Sequence, residues 1–421
     1  MASNRDNNIY DELAMYIFAV ISVTALLIVR SSLFYFESFD YEHSLSRWVL
    51  TFQEMSFFEG LGTRVGNYNA PYMYILNIIA RIGFSDLYLI KIVSTIFDFL
   101  LAFFVMKIVS LKSESKNIRL LAFLLTLSIP TVLLNSSMWG QCESIYASFA
   151  LGGVYFALKG HSKKAFAFIA LAVSFKLQAA FLLPLFAVFV FSKKIHFKDC
   201  YIFFLVFFAM LLPAIVAGYP IIDLLNIYIN QTDTYHYLRL NAVNVWTFVG
   251  SVEFAPFRTA GLFTGGIAVL GLMYYAFVNR SKLMDNVLNI NNEHKQDNLN
   301  EGNQSLDFND KECSDVGFGK LFVNTNFIRL AYLFAVLIPF LLPQMHDRFF
   351  YMADVFSLLI FLFDKRRWYV PLVTIFCSYL TYAWFLMDWV YIFDLKYAAI
   401  ALMLVIFVVL RDLVVSVLQR V

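Results

Sequence analysis

The sequence is short of charge, of cysteine and of enough polar residues to clothe a soluble domain. Only 15% of its 421 residues are charged, and 32 basic against 30 acidic side chains leave a net charge of +2. So small a net charge offers no field to a polyanion, which excludes nucleic acid as a partner. The four cysteines, Cys142, Cys200, Cys313 and Cys377, lie far apart with no CxxC pair. Such spacing argues against a disulfide framework and against a zinc site.

What is present is apolar: 60% of the residues are hydrophobic and the mean hydropathy is +0.69. A bilayer-crossing helix uses roughly 20 residues, so composition alone sets a ceiling of about 12 crossings. The stretches 199–218, 258–278, 323–342, 368–388 and 393–411 are unbroken, unlike the short alternating strands of a membrane barrel. The expected fold is all-α, a polytopic transmembrane helical bundle of about 12 spans. The first apolar run, 13–35, is too long for a signal-peptide core and reads as a retained first span.

Basic residues mark one side of the membrane. They collect in short connections, at Lys107, Lys112, Lys116 and Arg119, at Lys159, Lys163 and Lys164, at Lys193, Lys194 and Lys198, and at Lys365, Arg366 and Arg367. The positive-inside rule assigns these to the cytoplasm. The polar stretch 279–322 is rich in Asn, Asp, Lys and Glu and reads as a flexible cytoplasmic loop. It divides a core, 1–278, from C-terminal transmembrane helices, 323–421. Parity then turns the connections 36–86, 136–141, 219–257, 343–349 and 389–392 outward, with both chain ends inside.

Three apolar segments do not fit that parity as full spans. Residues 71–83 and 243–255 read as half-helices at the outer face, and 165–192 as two short helices around Lys176 to Pro184. Broken helices at membrane depth survive only where they line a cavity or are buried in protein. An outward-facing cavity is therefore expected.

Polar residues that lipid should not tolerate gather on the outer side. Glu37, Asp40, Glu42 and His43 follow the first span, and Asn135, Trp139, Gln141 and Glu143 crowd one short connection. Lys176 and Gln178 interrupt an apolar run, where a lysine costs about 2.5–3.5 kcal/mol and needs a partner or a role. Asp98, in the helix IVSTIFDFLLAFF, is the structural partner to weigh against anion binding. His346, Asp347, Arg348, Tyr351 and Asp354 meet at one outer junction, and Arg239, Asn241, Asn244 and Trp246 lie on the same side.

The ordered blocks FDYEHSLSRW, YNAPYMYIL, IKIVSTIFDFLLA, MWGQCESIYASF, FKLQAAFLLPL, LNAVNVWTF and PQMHDRFFYMADV resemble the membrane glycosyltransferases of the GT-C fold, in particular bacterial relatives of the GPI-anchor mannosyltransferase PIG-V. The likeness covers roughly 13–411. It departs from the family pattern at Glu143, where Asp is usual, and at Asp347, where Glu is usual, and the carboxylate is kept at both.

The resemblance implies a glycosyltransferase of the bacterial plasma membrane, active at the outer face. It would move mannose or another hexose from a polyprenyl-phosphate donor to a glycolipid or cell-envelope polysaccharide. An acid of the first outer loop serves as base in that family, and Asp40 matches it, with Glu37 and Glu42 behind it. Lys176 and Arg348, assisted by His346, are the candidates for the donor phosphate. Glu42, Tyr68, Asn69, Tyr72, Trp139, Gln141, Glu143, Gln178, Asn241, Asn244 and Asp347 are the candidates for sugar and acceptor, with Trp48 and Trp246 as further ring platforms. No cofactor is demanded, although Asp40 with Asp347 could recruit Mg²⁺ or Mn²⁺. The rival classes are a secondary transporter and a flippase or polymerase for lipid-linked oligosaccharides.

Overall fold

The computed structural model describes residues 2–231, 236–249, 254–284, 325–387 and 394–419. The expected outer connection 389–392, most of the polar stretch 279–322 and Cys313 lie outside them. The described chain is helical throughout, apart from one two-residue strand pair.

Helix α1 (Ala2–Ser31) is followed by a π-helical turn (Tyr41–Leu45) and by α2 (Ser46–Gln53), α3 (Phe57–Gly62) and α4 (Ala70–Ile79). Next come α5 (Asp86–Ser110), α6 (Lys116–Ser128), α7 (Pro130–Leu134) and a second π-helical turn (Asn135–Trp139). The centre of the chain holds α8 (Glu143–Leu158), α9 (Ser162–Phe175), α10 (Leu183–Phe191), α11 (Tyr201–Val216) and α12 (Ile221–Asn230). After strand β1 (Arg239–Leu240) come α13 (Phe254–Val278), α14 (Arg280–Met284) and α15 (Thr325–Leu341). Strand β2 (Met345–His346), α16 (Tyr351–Phe363), α17 (Tyr369–Met387) and α18 (Leu395–Leu418) complete the described chain.

Six of these helices are long and apolar enough to cross a membrane, or seven if the pair Lys116–Ser128 and Pro130–Trp139, bent by 53°, is one span. The bend has a local cause. Ile129 precedes Pro130 and is held at ψ 122°, outside the helical region, as the proline ring requires. The remaining apolar residues are spent on shorter helices packed inside the bundle. Helix α8 has only 16 residues and is buried on all sides, between α5 and α9. Gly152 makes room for that packing, since a Cβ there would strike the ring of Phe168.

Of the three segments set apart by parity, two are short or broken helices. Helix α4 has 10 residues, about 15 Å at 1.5 Å per residue, which is half a hydrocarbon core. The stretch 165–192 breaks at Lys176, whose extended backbone (φ −152°, ψ 134°) separates α9 from a 3₁₀ turn (Leu177–Leu182) and α10. The half-helix expected over 243–255 is not found among the described residues. A single 3₁₀ turn, Val245–Phe248, stands there instead, and the next span begins at Phe254. Asn244 accounts for the difference: its Oδ1 accepts from Trp246 N at 3.2 Å, and its Nδ2 donates to Pro339 O at 3.4 Å, which pins the turn to α15.

Lipid tails are as apolar as leucine, so burial from lipid drives helix association weakly, and close packing with polar crosslinks carries more of the load. One crosslink is deep. Arg30 and Asp98, 1% and 0% exposed, pair at 2.5 Å. Arg30 also donates to Ser136 Oγ at 2.8 Å and to Leu127 O at 2.9 Å, and Tyr351 Oη donates to the second oxygen of Asp98 at 3.4 Å. The network ties α1, α5, the bent pair and α16 together. Asp98 is thus the partner of Arg30 and not of Lys176.

Two of the basic connections, at Lys112 and at Lys365 to Arg367, meet at one end of the bundle. There Lys112 donates to the carbonyl of Phe363, Arg329 lies 3.7 Å from Asp364, and Arg367 pairs with Asp412 at 2.5 Å. That end differs in kind from the opposite one, where Asp40, Glu143, Lys176 and Arg348 converge.

Candidate active site

Asp40 stands at the start of the first π-helical turn, and two ties hold it there. Ser38 Oγ accepts from Tyr41 N at 3.2 Å and donates to Trp139 O at 2.8 Å, which fastens the connection 36–86 to the second π-helical turn. Gly140 ends that turn at φ 77°, a left-handed conformation that glycine adopts at little cost, and Gln141 N closes it on Asn135 O at 2.9 Å. Trp139 and Gln141 are thereby aimed at the same carboxylate.

Three donors meet on one oxygen of Asp40. Oδ2 accepts from Gln141 Nε2 at 2.7 Å, from Trp139 Nε1 at 2.9 Å and from Arg348 Nη1 at 3.1 Å. Among the described residues no such bond goes to Oδ1, and the side chain is 25% exposed. The carboxylate is oriented by the protein on one side and open on the other. Gln141 extends the chain of contacts, because its Oε1 accepts from Tyr68 Oη at 2.9 Å.

A second ion pair lies beneath. Glu143, 1% exposed, pairs with Lys176 and sits 3.4 Å from Arg348 Nε. A buried pair survives desolvation only with good geometry and further contacts. Here the Lys176 ammonium lies 5.2 Å from the centre of the Tyr68 ring, and the Arg348 guanidinium 5.1 Å from that of Trp139.

Lys176, Arg348 and Tyr68 also line a cavity of about 400 Å³. Arg258 adds a third cation to its wall, and among the described residues no Asp or Glu lines it. Five amides, Asn67, Asn69, Gln178, Gln231 and Gln344, provide neutral polar contacts, while Phe175, Leu177, Phe181, Leu262, Leu342 and Phe349 form an apolar side. Sequence reasoning missed Arg258, Asn67, Gln231 and Gln344, which read as ordinary loop or interface residues. The β1–β2 pairing shapes the rim, with Asn241 at φ 62° bridged to His346 and Gln344 at φ 61°. Gln344 Oε1 accepts from Arg258 Nε at 2.8 Å.

His346 lines the cavity as a neutral ring: burial, then Arg348 and Lys176, hold its pKa well below the ordinary range. It therefore adds a hydrogen-bonding nitrogen and not a third charge beside Lys176 and Arg348. Asp347 is 2% exposed and lies off the cavity wall, its Oδ1 accepting from Arg348 N at 2.8 Å. Burial pushes its carboxyl up to about 7, Arg348 and its backbone N–H pull it down, and Asp40 and Glu143 push it up further.

Several of the expected sugar contacts lie off the cavity lining and are engaged within the fold. Trp139 is fully buried, with Phe385 stacked at 4.6 Å and Arg348 on the ring, so it positions Asp40 and offers no free face. Tyr72 is buried against Tyr68, and Trp246 donates to Leu341 O at 3.0 Å. Trp48 packs edge-on against Tyr68 at 5.3 Å. Asn244 caps its own turn, Asn241 serves the strand pairing, and Glu42 is exposed on the first π-helical turn. Of the sugar candidates, Tyr68, Asn69 and Gln178 reach the cavity.

Among the described residues no cluster of three or more His, Cys, Asp or Glu is placed to hold a metal ion. Asp40 and Asp347, the pair considered for Mg²⁺ or Mn²⁺, are both engaged by Arg348, one through its guanidinium and the other through its backbone N–H.

The architecture and composition define a helical membrane protein with a cationic, amphipathic cavity at one end of the bundle. A scan against protein-family models and a search of curated proteins find no match for the chain.

Proposed function

We propose that the chain is an integral membrane glycosyltransferase of GT-C type, which transfers one hexose from a polyprenyl-phosphate donor to an acceptor hydroxyl of a glycolipid or envelope polysaccharide. On this reading the short inner helices complete about 12 full or partial crossings. The site faces outward across the plasma membrane of a bacterium.

The observation that carries the reading is the cavity: three cations and, among the described residues, no carboxylate on its wall, an apolar side, and an oriented carboxylate hydrogen-bonded to Arg348. A lipid phosphate needs both characters at once, cationic for its head and apolar for the start of its tail. The volume sits at the small end of ligand pockets, which run from roughly 300 to 1,000 Å³, and suits one sugar better than an oligosaccharide. That favours a monosaccharide transferase over a flippase or polymerase.

In the reaction the acceptor hydroxyl attacks the anomeric carbon while Asp40 takes its proton through the open Oδ1. The bond from that carbon to the phosphate oxygen breaks, and a single displacement inverts the configuration. The leaving phosphate gains one negative charge, which Lys176 and Arg348 stabilise more in the transition state than in the ground state. Arg348 joins the two halves, touching Asp40 on one side and the cavity on the other.

The transporter reading draws on buried ionisable groups, but these are already occupied. Asp98 is held by Arg30, Ser136 and Tyr351, and Asp354 accepts from Thr131 at 2.6 Å and from Ser378 at 2.8 Å.

The experiment is to supply purified protein with a panel of radiolabelled polyprenyl-phosphate sugars and extracted envelope lipids. Label moving into an acceptor lipid or polysaccharide supports transfer. Absence of transfer across the panel, with uptake into sealed vesicles, would assign the protein to transport.

A further inference from the structure

Two cavity-lining residues each carry a polar atom that has no hydrogen-bond partner among the described residues. Asn69 is 1% exposed, and its Nδ2 is buried without a hydrogen bond. Gln178 Oε1 is likewise buried and unbonded. Both residues line the same cavity as Lys176 and Arg348. Leaving a buried polar atom without a hydrogen bond is costly, so such a pair among cavity-lining residues calls for a ligand group or water to satisfy it.

The direction of the Asn69 amide follows from its neighbours. Gln231 Nε2 donates to the backbone carbonyl of Asn67 at 2.9 Å, and a carbonyl can only accept. The same Nε2 lies 2.9 Å from Asn69, which must therefore present Oδ1 to it. That leaves Nδ2, a pure donor, without a protein partner. Gln178 offers the opposite character, a carbonyl oxygen that can only accept.

A donor and an acceptor among the residues lining one cavity select among ligand groups. A carboxylate can only accept, and an ammonium can only donate. A hydroxyl does both.

Resting on the glycosyltransferase reading, we propose that Asn69 Nδ2 and Gln178 Oε1 recognise one hydroxyl, or two adjacent ones, of the sugar on the donor lipid, and so determine which sugar is used. Lys176 and Arg348 hold the phosphate, and Gln231 is a positioning residue that fixes the Asn69 amide. The substrate class is a lipid phosphodiester of a neutral hexose.

The test compares two probes of equal charge in detergent-solubilised full-length protein: a short-chain polyprenyl mannosyl phosphate and the sugar-free polyprenyl methyl phosphate. Asn69→Ala and Gln178→Leu are each expected to weaken the mannosyl lipid about tenfold while leaving the methyl phosphate within twofold of wild type. Unaltered methyl phosphate binding also shows that the variants are folded. A glucosyl lipid, differing at a single hydroxyl, is expected to lose or gain its discrimination against mannose in at least one variant. If both variants bind the mannosyl lipid as wild type does, the two atoms are satisfied by water and the proposal falls while the phosphate site stands. An equal loss for both probes places the residues on the phosphate and overturns it as well. If wild type binds neither probe, the glycosyltransferase reading itself fails.

Discussion

Arg348 Nη1 lies 3.1 Å from Asp40 Oδ2, a contact that spans 308 residues of chain and joins the connection 36–86 to the junction before α16. Arg348 is the hinge of the site, because the same guanidinium lies near Glu143, packs on Trp139 and faces the cavity. Replacing it by lysine keeps the charge and removes the planar fork. Arg348→Lys is expected to lower transfer at least 100-fold while donor binding weakens less, as measured by single-turnover transfer beside equilibrium binding. Equal losses in the two would reduce Arg348 to a binding residue.

The Lys176–Glu143 pair separates charge from fold. Lys176→Met leaves Glu143 with Arg348 at 3.4 Å, so the carboxylate keeps a cation. Donor affinity is expected to fall more than tenfold with only a small change in melting temperature. Glu143→Gln removes the counter-charge from buried Lys176, while Arg348 keeps Asp40, and is expected to destabilise the fold by about 3–5 kcal/mol. Denaturation in detergent checks the contrast, and unchanged donor affinity in Lys176→Met would return that lysine to a structural role.

Arg30→Met strands the Asp98 carboxylate, which is 0% exposed. The expected cost is about 3–5 kcal/mol, and the double variant Arg30→Met with Asp98→Leu should recover most of it, because neither partner is then left charged and alone. Donor binding in the double variant should match wild type. A double variant as unstable as the single one would mean that the pair contributes net stability.

Asp347 makes the fold pH-dependent. Burial pushes its carboxyl up to about 7, with Arg348 pulling down and Asp40 and Glu143 pushing up. A carboxyl near 3.9 in the unfolded chain binds fewer protons there than in the fold across this window, so stability falls as pH rises from about 4 to 7 and then levels off. Melting temperature recorded from pH 5 to 8 should decline in wild type and decline less in Asp347→Asn. Identical profiles would remove Asp347 as the source.

Much of this site is visible in the sequence because membranes make charge conspicuous. Lys176 and Asp98 stand out inside apolar runs, and Trp139, Gln141 and Glu143 crowd one short connection. Their partners are harder to see. Arg30 lies inside the first apolar run, 13–35, and nothing in the sequence names its partner, although it is buried against Asp98. Lys176 finds Glu143, 33 positions away, only through the packing of α8 against the break after α9. Arg258 and Gln231 give no signal at all, since their place on the cavity wall depends on how α12, α13 and the β1–β2 pairing are arranged. The aromatic residues misled for a related reason. Ring size suggests sugar stacking, whereas the faces of Trp139 are taken by Arg348 and Phe385.

Sidedness is open to a direct check. Glu42 is exposed beside Asp40, and Arg366 is 88% exposed at the opposite end. With Cys200 and Cys313 replaced by serine and the buried Cys142 and Cys377 kept, Glu42→Cys should react with an impermeant maleimide on intact cells. Arg366→Cys should react only after permeabilisation. The reverse pattern would put the site in the cytoplasm.

The central claim is that the open oxygen of Asp40 takes a proton from the acceptor. Asp40→Asn keeps the shape and the exposure while removing the base, whose contribution is typically 100- to 10,000-fold. Transfer of labelled sugar by purified Asp40→Asn, compared with wild type at equal donor occupancy, should fall by at least 100-fold with the melting temperature unchanged. Transfer at the wild-type rate would contradict the account.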